Sequence, residues 1–129
     1  MIYMNNFESL DAWKRAHELV LSIYKLTANF PKEEQYRLVD QIRRSASSIA
    51  ANLVEGNARS YRKEYLQFVY LSRGSLEETK YHLLLARDLR YLKNADYIVL
   101  DSKSAEVGML INGLIRYLRN NKQDQRPKA

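Results

Sequence analysis

The stretch SIAANLVEGNARS, Ser48–Ser60, is where the pattern of this chain turns from plain helix to something less regular. Reading outward from it, Leu38, Ile42, Ala46, Ile49 and Leu53 recur at three- and four-residue steps, which is one face of a helix. They predict a helix from about Lys32 to Glu55, with Glu33 and Glu34 at its N-terminus where the helix dipole favours anions. Glu33–Arg37 and Asp40–Arg44 are four apart, in the favourable order for ion pairs. Gly56 is read as the left-handed stop. At about 100° per residue, Gln41, Ser45, Ser48, Asn52 and Glu55 share a second stripe, beside the apolar one rather than opposite it. Polar groups bordering a core are expected to be half-buried and to need partners, because an unpaired one costs about 1–3 kcal/mol. Helix 3 near RGSLEE supplies them, and small residues at Ser45, Ser48, Gly74 and Ser75 would let the two helices approach closely. A catalytic reading would need a nucleophile with a base, or converging carboxylates. In this stripe only Glu55 titrates, so a structural seam is the better reading.

The rest of the chain repeats the helical rhythm. Trp13, Ala16, Val20, Ile23, Thr27 and Phe30 predict a first helix from about Leu10 to Asn29, with Ser9 as N-cap and Pro31 ending it. Tyr65, Phe68, Ser72, Leu76, Thr79, Leu83 and Ala86 predict a third, from after Ser60 to about Arg90. Gly74 in its middle costs about 1 kcal/mol relative to alanine, which points to close packing there. Tyr97, Leu100, Ser104, Val107, Ile111, Leu114 and Leu118 predict a fourth helix, capped by Asn94. Connections of a few residues make neighbours antiparallel, so the expected fold is all-α: an up-down-up-down four-helix bundle over residues 1–120. The tail 121–129 is polar and expected to be disordered.

Composition agrees with that class and narrows the function. With 4 glycines and 2 prolines in 129 residues, a strand-and-turn architecture is disfavoured. There is no cysteine, which removes disulfides and thiolate metal sites and makes a reducing cytoplasm the expected compartment. The most apolar stretch, GMLINGLI, falls far short of the ~20 residues that a membrane span needs. No Walker-type glycine loop, Gly-x-Ser-x-Gly elbow or His-Glu-x-x-His occurs, and His17 and His82 do not make the paired Glu-x-x-His of a di-iron bundle. No catalytic residue, metal or cofactor is therefore expected.

The net charge of +6 favours a polyanionic partner. Arg43, Arg44, Arg59, Arg62 and Lys63 are expected to form one end-patch, to which Arg116 and Arg119 add cations from the C-terminal stretch. Ten tyrosines provide aromatic faces among those cations, a combination that can stack on bases. Taken singly, each arginine reads better as part of a solvated helix face. Leu66, Tyr70, Tyr81 and Leu84 form a second apolar strip on helix 3, away from its core face. An apolar strip that one bundle cannot bury suggests self-association.

A wider set of residues carries a family resemblance. Phe7, Leu10, Trp13 and Ala16 are followed by Tyr24, Thr27, Phe30, Pro31 and Glu34, then by Gln41, Arg44, Ser48, Ile49, Asn52, Glu55, Gly56 and Arg59. RGSLEE, ARDLRYL and GLIRYLR complete the series. The chain resembles the bacterial four-helix-bundle family named for proteins encoded in intervening sequences of large-subunit (23S) ribosomal RNA genes. More distantly, it is similar to the accessory bundle protein of diversity-generating retroelements. The resemblance implies a ring-like homo-oligomer, a pentamer, and in the retroelement relatives a basic surface that engages RNA or DNA and a reverse transcriptase. Ala50, Ser45, Asn57 and Arg90 depart from the family pattern, Arg90 standing where glycine is usual.

Overall fold

The computed structural model describes residues 6–120, so the tail 121–129 read as disordered lies outside the described residues. The chain forms four helices: α1 (Asp11–Thr27), α2 (Leu38–Asn57), α3 (Arg62–Asp88) and α4 (Asn94–Asn120). Each packs against its sequence neighbours, and α4 returns against α1 to close an antiparallel bundle. The arrangement follows from geometry: the connections are too short to let consecutive helices run in the same direction.

The core stripe of α2 is the one its spacing dictates. Leu38, Ile42, Ala46, Ile49 and Leu53 are all buried, joined by Val39. Opposite them lie Leu19 and Ile23 from α1, Val69, Leu76 and Leu83 from α3, and Leu100, Val107 and Ile111 from α4. The phase of the other stripes is shifted slightly from the sequence reading. On α1, Ala12 and Leu19 are buried while Trp13 and Val20 are half-buried; on α3, Val69 replaces Phe68; on α4, Ile115 replaces Leu114. In each case a larger or neighbouring apolar residue drew the expected stripe toward itself, and it sits instead at the rim of the core.

The ends differ more. Ser9 is not the cap of α1; its hydroxyl donates to the Asn6 carbonyl within a 3-10 turn at Phe7–Ser9, and Leu10 takes the cap position. α2 does not begin at Lys32: residues Lys32–Glu34 form a separate 3-10 turn, and Glu33 and Arg37 do not share a helix. Gln35 explains that break, because its Nε2 donates to the carbonyls of Thr27 and Phe30, closing the end of α1. α3 stops at Asp88, and Arg90 adopts φ 66°, in the left-handed region. Its N–H donates to Arg87 O, and that of Tyr91 to Ala86 O, the paired bonds of a Schellman turn.

Gly56 is not a left-handed stop. It lies within α2, no glycine has a positive φ, and the helix continues to Asn57. The glycine is needed for closeness: a Cβ there would stand 2.9 Å from Phe68 Cβ and 3.0 Å from Tyr65 Cδ1. The start of α3 therefore lies directly on the end of α2.

Candidate functional site

The polar stripe of α2 faces α3 across a ladder of short side chains. Ser72 Oγ donates to Ile49 O at 2.7 Å, Ser75 Oγ to Ser48 Oγ at 2.9 Å, and Thr79 Oγ1 lies 2.8 Å from Ser45 Oγ. Asn52 Nδ2 donates to the Ser48 carbonyl and hydroxyl, so its amide is tied to its own helix. Gln41 and Glu55, expected half-buried at the two ends of this stripe, are exposed. Gly74 corrects a further expectation: it is exposed, and a Cβ would meet nothing within 4 Å. The close approach of α2 and α3 is made by the serines and by Gly56, not by Gly74.

The seam contains hydroxyls and amides bonded to one another, and no titratable side chain. His82 is buried, with Nε2 3.2 Å from Glu78 Oε2 and Nδ1 without a hydrogen-bond partner. That geometry suits the tautomer with its proton on Nε2, donating to the carboxylate. Among the described residues no group of three or more His, Asp or Glu side chains could hold a metal ion.

The cations do not form a single patch. Arg43 is half-buried and holds α1: its Nε donates to Thr27 Oγ1 at 3.0 Å, its Nη2 to Tyr24 O, and its guanidinium lies 4.5 Å from the Tyr24 ring centre. Arg44 is exposed and 3.9 Å from Asp40. Both sit at the end of the bundle where α1 stops and α2 starts, roughly 20 Å of helix away from Arg59. Sequence proximity to the α2–α3 turn misled here, because a long helix carries its two ends to opposite poles.

The other pole holds Arg59, Arg62 and Lys63, around the α2–α3 turn, and Arg116 and Arg119, near residue 120 of α4. Arg62 joins the two groups, donating from Nη1 to Leu118 O at 3.1 Å. Arg59 lies over the Phe68 ring at 4.7 Å. Lys63, Arg116 and Arg119 are exposed. The arrangement can present several positive charges to an extended anion. Arg73 and Arg87 lie over Tyr70 and Tyr97, at 5.2 and 4.6 Å. Several of the aromatic faces read as base-stacking candidates are thus occupied by the chain's own guanidinium groups.

The strip expected on α3 is only partly open. Leu66 and Tyr70 lean on the core, Leu84 is half-buried, and Tyr81 is 58% exposed. A further exposed face, not expected from the apolar spacing, lies on α4. Ile98, Val99, Met109 and Tyr117 are all exposed, with Met109 at 74%. The signal was available: the α4 residues opposite its core stripe include Ala95, Ser102, Ala105 and Gly113, few of them charged.

Among the described residues, no helix is long and apolar enough to cross a membrane. A family model described as 23S rRNA-intervening sequence protein matches residues 8–113. Among solved structures, the chain is similar to a protein of unknown function from the S23 ribosomal protein family of Bacteroides thetaiotaomicron. The two are 24% identical, with a TM-score of 0.73 over 81% of this chain and 98% of that one, a likeness of fold. No curated protein matches the chain.

Proposed function

We propose, for a chain that belongs to the 23S rRNA-intervening sequence protein family, a non-enzymatic homo-oligomeric bundle that binds nucleic acid through its basic pole. The observation that carries this reading is that exposed Lys63, Arg116 and Arg119 lie at the same pole as Arg59 and Arg62, whose hydrogen bond from Arg62 to Leu118 O brings the start of α3 against α4. Exposed cations gathered at one pole suit a phosphate backbone, whose contacts carry no sequence information. Binding would be dominated by counterion release and would fall steeply with salt. Arg43 and Arg44 stand at the opposite pole, the first engaged in holding α1, and are not part of this surface.

The test is fluorescence anisotropy with a mixed-sequence RNA and a matched DNA at 50 and 200 mM salt. Lys63→Glu, Arg116→Glu and Arg119→Glu together should weaken binding at least tenfold at 50 mM and flatten the salt dependence by about two to three powers of concentration. Those positions are exposed, so the fold should be unaffected. Affinity that ignores salt, or survives the triple variant, overturns the reading. Self-association is checked separately by light scattering: a pentamer is the expected ring, and a monomer at micromolar concentration would refute it.

A second reading takes its support from Val99 and Tyr117, exposed on α4 with no counterpart in the bundle. The chain would then be a scaffold for another protein, such as a mobile-element reverse transcriptase. Pull-downs that recover nucleic acid and no protein partner count against it.

A further inference from the structure

We propose that the basic pole takes single-stranded nucleic acid, whose unpaired bases stack on the rings of Tyr61 and Tyr117. The inference rests on the nucleic-acid reading above and names the form of the ligand. It begins with where the open tyrosine rings are. Among the described residues five tyrosines are exposed: Tyr24, Tyr36, Tyr61, Tyr81 and Tyr117. Tyr24 lies under the Arg43 guanidinium, and Tyr81 lies against the His82 ring, 5.9 Å between centres. Tyr36, the most exposed at 93%, follows closely on Glu33 and Glu34, whose carboxylates repel a phosphate. Tyr61 and Tyr117 differ from all three: no ring or guanidinium among the described residues lies against either.

Their surroundings are cationic. Tyr61 stands between Arg59 and the pair Arg62 and Lys63, and Tyr117 stands between Arg116 and Arg119. Across residues 58–64 and 113–120 the single carboxylate is Glu64, against those five cations. Arg62 follows Tyr61 in the chain and Leu118 follows Tyr117. The 3.1 Å hydrogen bond from Arg62 to Leu118 O therefore holds both tyrosines at one pole.

Open rings among cations select between the forms of nucleic acid. Phosphate contacts alone favour a duplex, which carries about twice the charge per unit length of one strand. A side-chain ring stacks on a base only where that base is freed from its partner and its neighbours. The contact accepts any base, because each has a π-face. Stacking on Tyr61 and Tyr117 thus adds to the binding of a single strand and not to that of a duplex, and reverses the electrostatic preference. Neither contact uses the 2′-hydroxyl, so RNA and DNA strands are equivalent ligands.

The test is fluorescence anisotropy at low salt with a labelled mixed-sequence strand of about 12 nucleotides, within the range that small single-strand sites span. It is measured as RNA, as DNA, and as DNA annealed to its complement. The parent chain should bind both single strands several-fold more tightly than the duplex. Tyr61→Ala with Tyr117→Ala should weaken single-strand binding about tenfold or more and leave duplex binding within about twofold. Tyr61→Phe with Tyr117→Phe keeps both rings and should retain the parent affinities, and Tyr36→Ala should change neither. The Tyr61 carbonyl accepts the Tyr65 N–H whatever side chain stands at 61, so α3 starts as before in each variant. Three results overturn the stacking while leaving phosphate binding standing: a parent that binds the duplex as tightly as the strand, a double alanine variant with parental single-strand affinity, or an equal loss in Tyr36→Ala. A requirement for the 2′-hydroxyl overturns it too. No binding to strand or duplex overturns both this inference and the reading beneath it.

Discussion

Single residues in this bundle are constrained by what lies one helix away. At Gly56, a methyl group would fall inside the contact distance of Phe68 Cβ and Tyr65 Cδ1, and the Tyr65 carbonyl is only 3.3 Å away. Gly56→Ala should therefore lower stability by about 1–3 kcal/mol despite alanine's better helix propensity, measured by urea denaturation. The helix-stop rule misassigned this glycine because it considers one helix alone; Tyr65 and Phe68, a turn into α3, were the signal. Arg90 is the reverse case. Its φ of 66° is costly for a residue with a Cβ, and glycine removes that cost. Arg90→Gly should raise stability by roughly 0.5–1 kcal/mol, seen as a higher denaturation midpoint with an unchanged slope. This position was legible through the family resemblance, where glycine is usual, whereas local spacing carried no sign of it.

At the scale of elements, the α2–α3 pair depends on small hydroxyl side chains. Ser72, Ser45 and Thr79 are buried, so the hydrogen bonds between the helices are made without water competing. Ser72→Val should cost about 1–3 kcal/mol, since it removes the donor to Ile49 O and adds volume where the helices are close. Ser75→Ala, at a half-buried rung, should cost less than 1.5 kcal/mol. The two measured side by side by thermal or urea unfolding test whether burial sets the ranking. The existence and order of all four helices were legible because apolar repeats of three and four residues persist through each. Their exact phase was less so: Trp13 and Phe68 count heavily in any apolar pattern, yet large rings fit best at the edge of a narrow core. The break before α2 was hidden because the Gln35 amide, which closes α1, looks in sequence like one more good helix former.

At the scale of the molecule, the two poles are built differently. One is cationic, and the up-down-up-down topology expected from the short connections already brings the α2–α3 turn and the C-terminal part of α4 to the same end. The other is closed by Tyr91, at the α3–α4 turn, whose phenol donates to Glu34 Oε2 at 3.1 Å and whose ring packs against Phe30. That hydrogen bond, followed by desolvation and the carboxylate charge, raises the Tyr91 pKa above its ordinary value of 10.0. A pKa raised on folding contributes stability that is present below about pH 10 and lost as pH rises through the folded value. The fall in urea midpoint between pH 9 and pH 11.5 should accordingly be smaller in Tyr91→Phe than in the parent chain. The closure of the bundle by α4 against α1 has a consequence for the speed of folding. The other helix–helix contacts join neighbours in sequence, so most of the molecule can assemble from local encounters, a topology that folds in microseconds to milliseconds. The α1–α4 contact must wait for the whole chain to be wound. Loosening it, for instance by breaking the 3.3 Å Arg15–Glu106 pair, should act on the rate of unfolding far more than on the rate of folding.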